Sequence, residues 1–347
     1  MIDTNIKREN DQTLFFLSGL NLVAILLIIL FLCLASCDKT DTVTAPREKI
    51  TFAYTESTGS ALVHIAISKG YFTEEGLDVT PQSGGFGKPA LDAVIEGKLD
   101  MAISSDTSIM FAVMDGKQIT TLAVIATANR NMAILARKDR GISRPADLKG
   151  KTIGVVRGTP SDFFVDAFLL AHGINRKQVA IKHIHPDEFA KALSTGRVDA
   201  VSIWQPLLIQ MQKDMGNQAL TFYGETFYTF TYCVTALQDY VKKHPEAVRK
   251  LLRALIKAEN FARQYPEESR QLMVKFVKTD KDFLGEIWDI YNYKVSLDQA
   301  LLVDLEDQTR WALKNRLTKS RIMPNYLDFI YADGLSAVKP EAVRILR

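Results

Sequence analysis

Gly97-Lys98-Leu99-Asp100-Met101-Ala102-Ile103-Ser104-Ser105-Asp106-Thr107-Ser108 decides the fold, because the chain says it twice. The echo is Gly196-Arg197-Val198-Asp199-Ala200-Val201-Ser202-Ile203-Trp204-Gln205-Pro206. Each copy follows an apolar-periodic run, residues 90–95 and then 189–193, closed by a glycine, the residue that best accepts the positive φ ending a helix. A basic residue, an aliphatic, an Asp and a short apolar strand follow in both. Helix into strand, with polar residues at the strand's far end, is half of a βαβ unit, and open α/β sheets bind ligands beyond those carboxyl ends. The repetition implies two α/β lobes with a ligand held between them.

The residues ahead of each copy repeat as well. Residues 50–54 and 151–156 read as strands, each followed by a polar turn, Glu56-Ser57-Thr58-Gly59 and Arg157-Gly158-Thr159-Pro160-Ser161. An apolar run ending at Gly70 or Gly173 then leads to a second strand, 76–80 or 179–183. Ser60 and Ser161 fall at equivalent places. Gly84-Gly85-Phe86-Gly87-Lys88-Pro89 lacks phosphate-loop spacing, since Gln82 precedes Gly87 by five and Pro89 replaces the Ser or Thr. It reads as a flexible turn passing near the ligand. A helix at 108–114, strands at 121–125 and 132–136, and a charged lobe boundary at 137–147 complete the repeat. Beyond Phe222, residues 227–236 read as a strand crossing back to the first lobe. Residues 245–264, 266–276, 280–291 and 297–315 read as helices packed outside the sheets.

With 347 residues, 47% apolar and 24% charged, the chain is ample for a packed core of one or two domains. A net charge of +3 without a run of five like charges excludes a nucleic-acid footprint. Cys33 and Cys37 belong to an apolar leader, which leaves Cys233 as a small buried hydrophobe and no disulfide framework.

Lys7 and Arg8 precede an apolar run over residues 14–34, which stops at Asp38-Lys39. Its length suits either a membrane span or a long signal peptide. Leu34-Ala35-Ser36-Cys37 resembles the bacterial lipobox, which makes residues 1–36 a lipoprotein signal peptide and Cys37 the lipidated N-terminus. The other reading is an uncleaved membrane helix ending in Cys. Either way the body lies outside the cytoplasm, periplasmic or extracytoplasmic and held to the membrane, with residues 37–46 as a solvated tether.

Several stretches resemble bacterial periplasmic substrate-binding proteins of the sulfonate/nitrate/taurine group, also called NMT1 or SsuA-like. They are Lys69-Gly70-Tyr71-Phe72 with Gly76-Leu77-Asp78-Val79, Asp147-Leu148-Lys149-Gly150-Lys151-Thr152-Ile153-Gly154-Val155, Asp199 to Pro206, and His244-Pro245-Glu246-Ala247-Val248. The resemblance implies an α/β, two-lobe periplasmic-binding-protein (type II) fold, each lobe a mixed sheet flanked by helices, with a helical C-terminal extension. By analogy residues 47–133 plus 235–347 form lobe 1 and residues 134–234 form lobe 2, and lobe closure traps the solute. It also implies a monomeric, non-enzymatic receptor that delivers a sulfonate, taurine, nitrate or pyrimidine-like solute to an ABC permease and its ATPase. No cofactor is implied. A sensor lipoprotein is a second reading. A third is an enzyme like the thiamine-pyrimidine synthase of the same fold, whose Cys-rich motif this chain lacks.

Candidate ligand groups sit at strand ends and helix N-termini, where backbone N–H groups lack partners. In lobe 1 these are Thr58, Ser60, Ser104, Ser105 and Asp106, the last facing either a ligand amine or its own helix. In lobe 2 they are Thr159, Ser161, Trp204 and Gln205, pairing a flat apolar face with an amide that donates and accepts. Asp162, in the same first turn as Ser161, competes for those amides and leaves the ligand's charge open. Tyr228 and Tyr232 line the hinge side or the core, and Arg130 is a weaker anion clamp. His183 and His185 alternate at metal-ligand spacing without a third ligand, so no metal site is expected.

Overall fold

A computed structural model of the chain describes residues 46–277 and 281–346. The leader, Cys37 and all of the tether except Pro46 lie outside the described residues.

The chain first lays down β1 (Glu48–Tyr54), α1 (Ala61–Ser68), α2 (Tyr71–Glu74), β2 (Leu77–Ser83), α3 (Gly87–Ile95), β3 (Met101–Ser105), α4 (Asp106–Met114) and β4 (Ile119–Ala128). It then crosses to β5 (Met132–Arg137), β6 (Thr152–Val155), α5 (Pro160–Ala171), β7 (Ala180–His183), α6 (Phe189–Ser194), β8 (Ala200–Trp204), α7 (Leu207–Met215) and β9 (Ala219–Tyr223). It returns through β10 (Phe230–Leu237), α8 (Gln238–Lys243), α9 (Pro245–Gln264), α10 (Pro266–Val277), α11 (Lys281–Trp288), β11 (Tyr291–Asp298), α12 (Gln299–Lys314), α13 (Ala332–Val338) and β12 (Val343–Arg344).

Two mixed sheets result, ordered β12-β11-β4-β10-β3-β1-β2 and β7-β6-β8-β5-β9. In the first, β1 runs parallel to β2 and β3, and β10 is antiparallel to β3; in the second, β6 runs parallel to β7 and β8, and β5 is antiparallel to β8. The repeat read from sequence is therefore a repeat of topology. The fourth strand of each set arrives after a crossing.

The duplicated Asp has one task in both sheets. Asp100 Oδ2 accepts from the Thr51 amide and hydroxyl, each at 2.7 Å, and Asp199 Oδ2 accepts from the Thr152 amide at 2.9 Å. A carboxylate thus ties the start of the third strand to the first, through charge-assisted hydrogen bonds stronger than neutral ones. The glycine before it, at φ of 70° in Gly97 and 72° in Gly196, closes the preceding helix in the left-handed region.

Two features differ from the sequence reading. The sheets exchange the chain at residues 129–131 and 224–229, and β10 pairs with β4 from Phe230 onward. Residues 230–234, placed in lobe 2 by analogy, thus hydrogen-bond in the first sheet. The C-terminal region is helical as expected, but Tyr291–Asp298 is a strand, antiparallel to β4. Its Tyr-Asn-Tyr-Lys-Val-Ser-Leu-Asp alternation is the period-two signal of a half-buried strand. Tertiary pairing overrides the flanking helical periodicity.

The first sheet is covered by α1 and α9, whose Leu251, Leu252 and Leu255 are fully buried, and the second by α5 through Phe164 and Phe168.

Candidate functional site

Both sheets end their parallel strands at one cleft. From the first come Thr55, Glu56 and Ser57 after β1, the turn Gly85-Phe86-Gly87-Lys88 after β2, Ser104 and Ser105 ending β3, Ser108, and Phe230 and Tyr232 of β10. From the second come Thr159 and Pro160 after β6, and Trp204 and Pro206 after β8. The space between these walls is ≈ 530 Å³ including its opening, the scale of a small solute.

Aromatic rings make the apolar wall. Phe86 enters from the first sheet's side yet packs on the second sheet's core, its ring 5.8 Å from Trp204. Trp204 is fixed from behind by Phe189 at 6.3 Å. Tyr232 lies flat on Gly59, where a Cβ would fall 2.2 Å from a ring carbon, so the turn after β1 requires a glycine for space. Gly87 serves α3 likewise, since a Cβ there would meet Ser104 Cα at 3.2 Å.

Hydroxyl groups and helix N-termini make the polar wall. Ser105 accepts from the Ser108 amide at 3.3 Å and donates to Ser108 Oγ at 2.9 Å, which leaves the Ser108 proton for a solute. Thr159 caps α5 by accepting from the Ser161 amide at 3.3 Å and donates to Val156 O at 2.7 Å, so only its lone pair remains. Ser104 Oγ lies 3.1 Å from Thr235 Oγ1. No side chain caps α3, and its first turn carries Lys88, whose Nζ is 2.6 Å from Asp92. An uncapped helix start with an ammonium beside it favours an anionic group. Glu56, accepting from Ser83 Oγ at 2.8 Å, adds one carboxylate.

Of the residues singled out from sequence, Ser104, Ser105, Thr159, Trp204 and Tyr232 meet at this cleft. Others do not. Ser60 Oγ accepts from the Thr55 amide and Ser161 Oγ from the Val156 amide, both at 3.1 Å, so their equivalent places serve to pin each strand end to its helix. Thr58 is fully buried and does not line the cleft. Asp106 turns the other way: it accepts from the Thr107 amide at 2.8 Å and from Gln308 Nε2 at 2.7 Å, and burial, with the Asp304 charge adding, pushes its carboxyl up to about 7. The Gln205 backbone N–H donates to Asn131 O at 3.0 Å, and its side chain is buried and does not line the cleft. Tyr228 stands between Phe163 and Phe164 and lines a different cavity.

Arg130 pairs with Glu225 at 3.2 Å and stacks over Tyr223, away from the cleft. Asp162 faces Arg176 at 4.0 Å and is absent from the cleft wall, so its charge does not oppose a bound anion; burial raises its carboxyl, while Arg157 and Arg176 pull it down. His183 accepts from the Arg157 amide at 3.3 Å, and His185 lies 3.4 Å from Asp187. Among the described residues no three His, Cys, Asp or Glu side chains group as metal ligands. Cys233 is buried, and burial raises its thiol. Of the cleft residues not singled out, Phe86, Lys88 and Ser108 lie in stretches already marked as turns or helix starts, and Phe230 lies in the strand read at 227–236. Residue type alone did not separate them from caps and core.

Two mixed sheets flanked by helices, with a solute-sized cleft where their strands end, define the periplasmic-binding-protein fold. The family described as NMT1/THI5 like matches residues 57–269, and the chain belongs to it. YtlA of Bacillus subtilis (strain 168), provisionally named a binding protein, is 25% identical over 311 residues, 87% of this chain and 91% of its own. The taurine-binding periplasmic protein of Escherichia coli (strain K12) is 24% identical over 219 residues, 62% of this chain and 67% of its own. The alkanesulfonate-binding protein SsuA from Xanthomonas axonopodis pv. citri, solved bound to MOPS, shares the fold with a TM-score of 0.71 at 16% identity, covering 83% of this chain and 99% of that one.

Proposed function

We propose that this chain is an extracytoplasmic solute receptor of an ABC importer, not an enzyme, that traps a small organic anion between its lobes and delivers it to a membrane permease and ATPase. The lobes are residues 47–128 with 230–346, and residues 132–223. Anchoring through a lipidated Cys37 rests on the sequence. The observation that carries the reading is the cleft's composition: an uncapped α3 start with Lys88 and hydroxyl donors at one wall, aromatic rings at the other. That pairing suits an anionic head on a short apolar body, and a sulfonate is the first candidate, in keeping with the names of the relatives. Taurine adds an ammonium that Glu56 accommodates at the rim.

Calorimetric titration of the full chain with ethanesulfonate, taurine and nitrate tests this. Binding of a sulfonate, weakened at least tenfold by Trp204→Ala in a protein with unchanged circular dichroism, is expected. No binding of any of the three, or unchanged binding in W204A, overturns the proposed site. Loss of sulfonate uptake in cells lacking the protein tests the delivery step.

A further inference from the structure

The chain passes between the two sheets over residues 129–131 and 224–229. A rotation of one sheet against the other is absorbed by a few such residues. Bonds that span the joint decide how freely they turn.

Asn131 ends the first passage and is fully buried. Its main chain belongs with the second sheet: Asn131 O accepts from the Gln205 amide at 3.0 Å, one rung beyond the Met132–Trp204 pair of the β5–β8 ladder. Its side chain belongs with the first: Oδ1 accepts from the Tyr291 hydroxyl at 2.6 Å, and Tyr291 pairs with Ala128 in the β11–β4 ladder. Between Ala128 of one ladder and Asn131 of the other stand only Asn129 and Arg130. The Tyr291–Asn131 bond therefore bridges the joint beside the backbone that has to turn. Burial raises the Tyr291 phenol well above its usual range, so its proton stays in place to be donated.

The bridge adjoins both walls of the cleft without lining it. The Tyr291 ring lies 6.0 Å from that of Tyr232, whose hydroxyl stands among the side chains of Ser57, Tyr291 and Asn131. On the other side Gln205 directly follows Trp204. With the bond made, the rings of Phe86 and Trp204 meet across the cleft mouth, so the bond belongs to a closed cleft.

We propose that the hydrogen bond from the Tyr291 hydroxyl to Asn131 Oδ1 fastens the two sheets in the closed arrangement and sets how long a solute is held. Asn131 and Tyr291 are then positioning residues, acting through Trp204 and Tyr232. The proposal rests on the reading of the cleft as a solute trap.

Acrylamide quenching of tryptophan fluorescence in the solute-free full chain reads opening, because Phe86 packs on Trp204 at the mouth whereas Trp288 and Trp311 are buried. Stopped-flow release of ethanesulfonate reads retention. Tyr291→Phe and Asn131→Ala are each expected to raise quenching and to speed release about fivefold, the effect of one neutral hydrogen bond, with association little changed. The double variant is expected to do no more than either single one, since both remove the same bond. Tyr293→Phe is the control. It removes the same atom from the ring stacked on Tyr291 at 5.8 Å, where the hydroxyl makes no hydrogen bond, and is expected to leave both readings at wild-type values. Wild-type quenching and release in Tyr291→Phe overturn the proposal. So does an equal change in Tyr293→Phe, which assigns the effect to ring packing, and so do additive changes in the double variant, which separate the two residues. If the wild type binds no ethanesulfonate, that solute is refuted while the quenching comparison still decides the bridge.

Discussion

The ring of Phe86 lies 5.8 Å from the ring of Trp204, although Phe86 precedes a helix of the seven-stranded sheet and Trp204 ends a strand of the five-stranded one. The two halves meet at the cleft mouth through this pair. An aromatic pair contributes about 0.5–1.5 kcal/mol beyond its buried area. Phe86→Ala is expected to raise the dissociation rate of a bound sulfonate about tenfold while the association rate changes little. Stopped-flow tryptophan fluorescence reads both, and an unchanged dissociation rate refutes a closing role for the pair.

Asp100 and Asp199 hold equivalent strand joints, but Asp100 accepts two hydrogen bonds from Thr51 where Asp199 accepts one from Thr152 amide. Hydrogen bonds to charged groups contribute roughly 1.5–3 kcal/mol. Asp100→Ala is expected to destabilise by about 3 kcal/mol and Asp199→Ala by about 2 kcal/mol, the order being the sharper test. Urea denaturation at pH 7 measures both.

Gly59 leaves no room for a methyl group, with three Tyr232 ring carbons between 2.2 and 2.5 Å of a Cβ placed there. Overpacking of this kind costs about 1–3 kcal/mol. Gly59→Ala is expected to lower the melting temperature and to weaken solute binding, because Tyr232 is displaced into the cleft. Restoration of the melting temperature in the double variant with Tyr232→Leu establishes the clash as the cause.

Asp106 is buried with its carboxyl raised to about 7 from 3.8. The unfolded chain releases this proton first, so stability falls as pH rises from about 4 to 7, by an amount on the order of 4 kcal/mol if Asp106 alone is considered. Asp106→Asn removes that loss. The unpaired Gln308 Oε1 accepts from the new amide after a flip of the Gln308 side chain. Thermal unfolding at pH 5 and pH 8 is expected to show D106N gaining on the wild type at the higher pH; a constant difference refutes the assignment.

His64 stands in the opposite sense. It is fully buried between Phe276, stacked at 4.1 Å, and Tyr54 at 4.6 Å, and burial lowers its imidazole to about 4. The unfolded chain takes up the proton near pH 6.5, so stability is lost as pH falls from 6.5 to about 4, by about 3 kcal/mol. His64→Phe keeps the stacking and is expected to lose less stability between pH 7 and pH 4.5. Equal acid sensitivity in both proteins rules His64 out as the source.

The duplicated unit and its closing glycines, the order of strands and helices, and the place of the cleft were legible in the sequence by itself. Those features depend on local periods and on turn residues such as Gly97 and Gly196, which act over a few neighbours. The strand Tyr291–Asp298 was missed: its alternation lay between two helical patterns, and the sequence reading took its ends into helices over 280–291 and 297–315. Which hydroxyl faces a solute was decided only by tertiary structure. Ser105 and Ser60 are alike as residues at a helix start, yet one lines the cleft and the other is consumed by the Thr55 amide. Asp106 follows Ser105 directly and points the opposite way, into α12, where burial changes its chemistry. Side-chain direction, partner and dielectric surroundings arise from segments far apart in the chain. No local period encodes them.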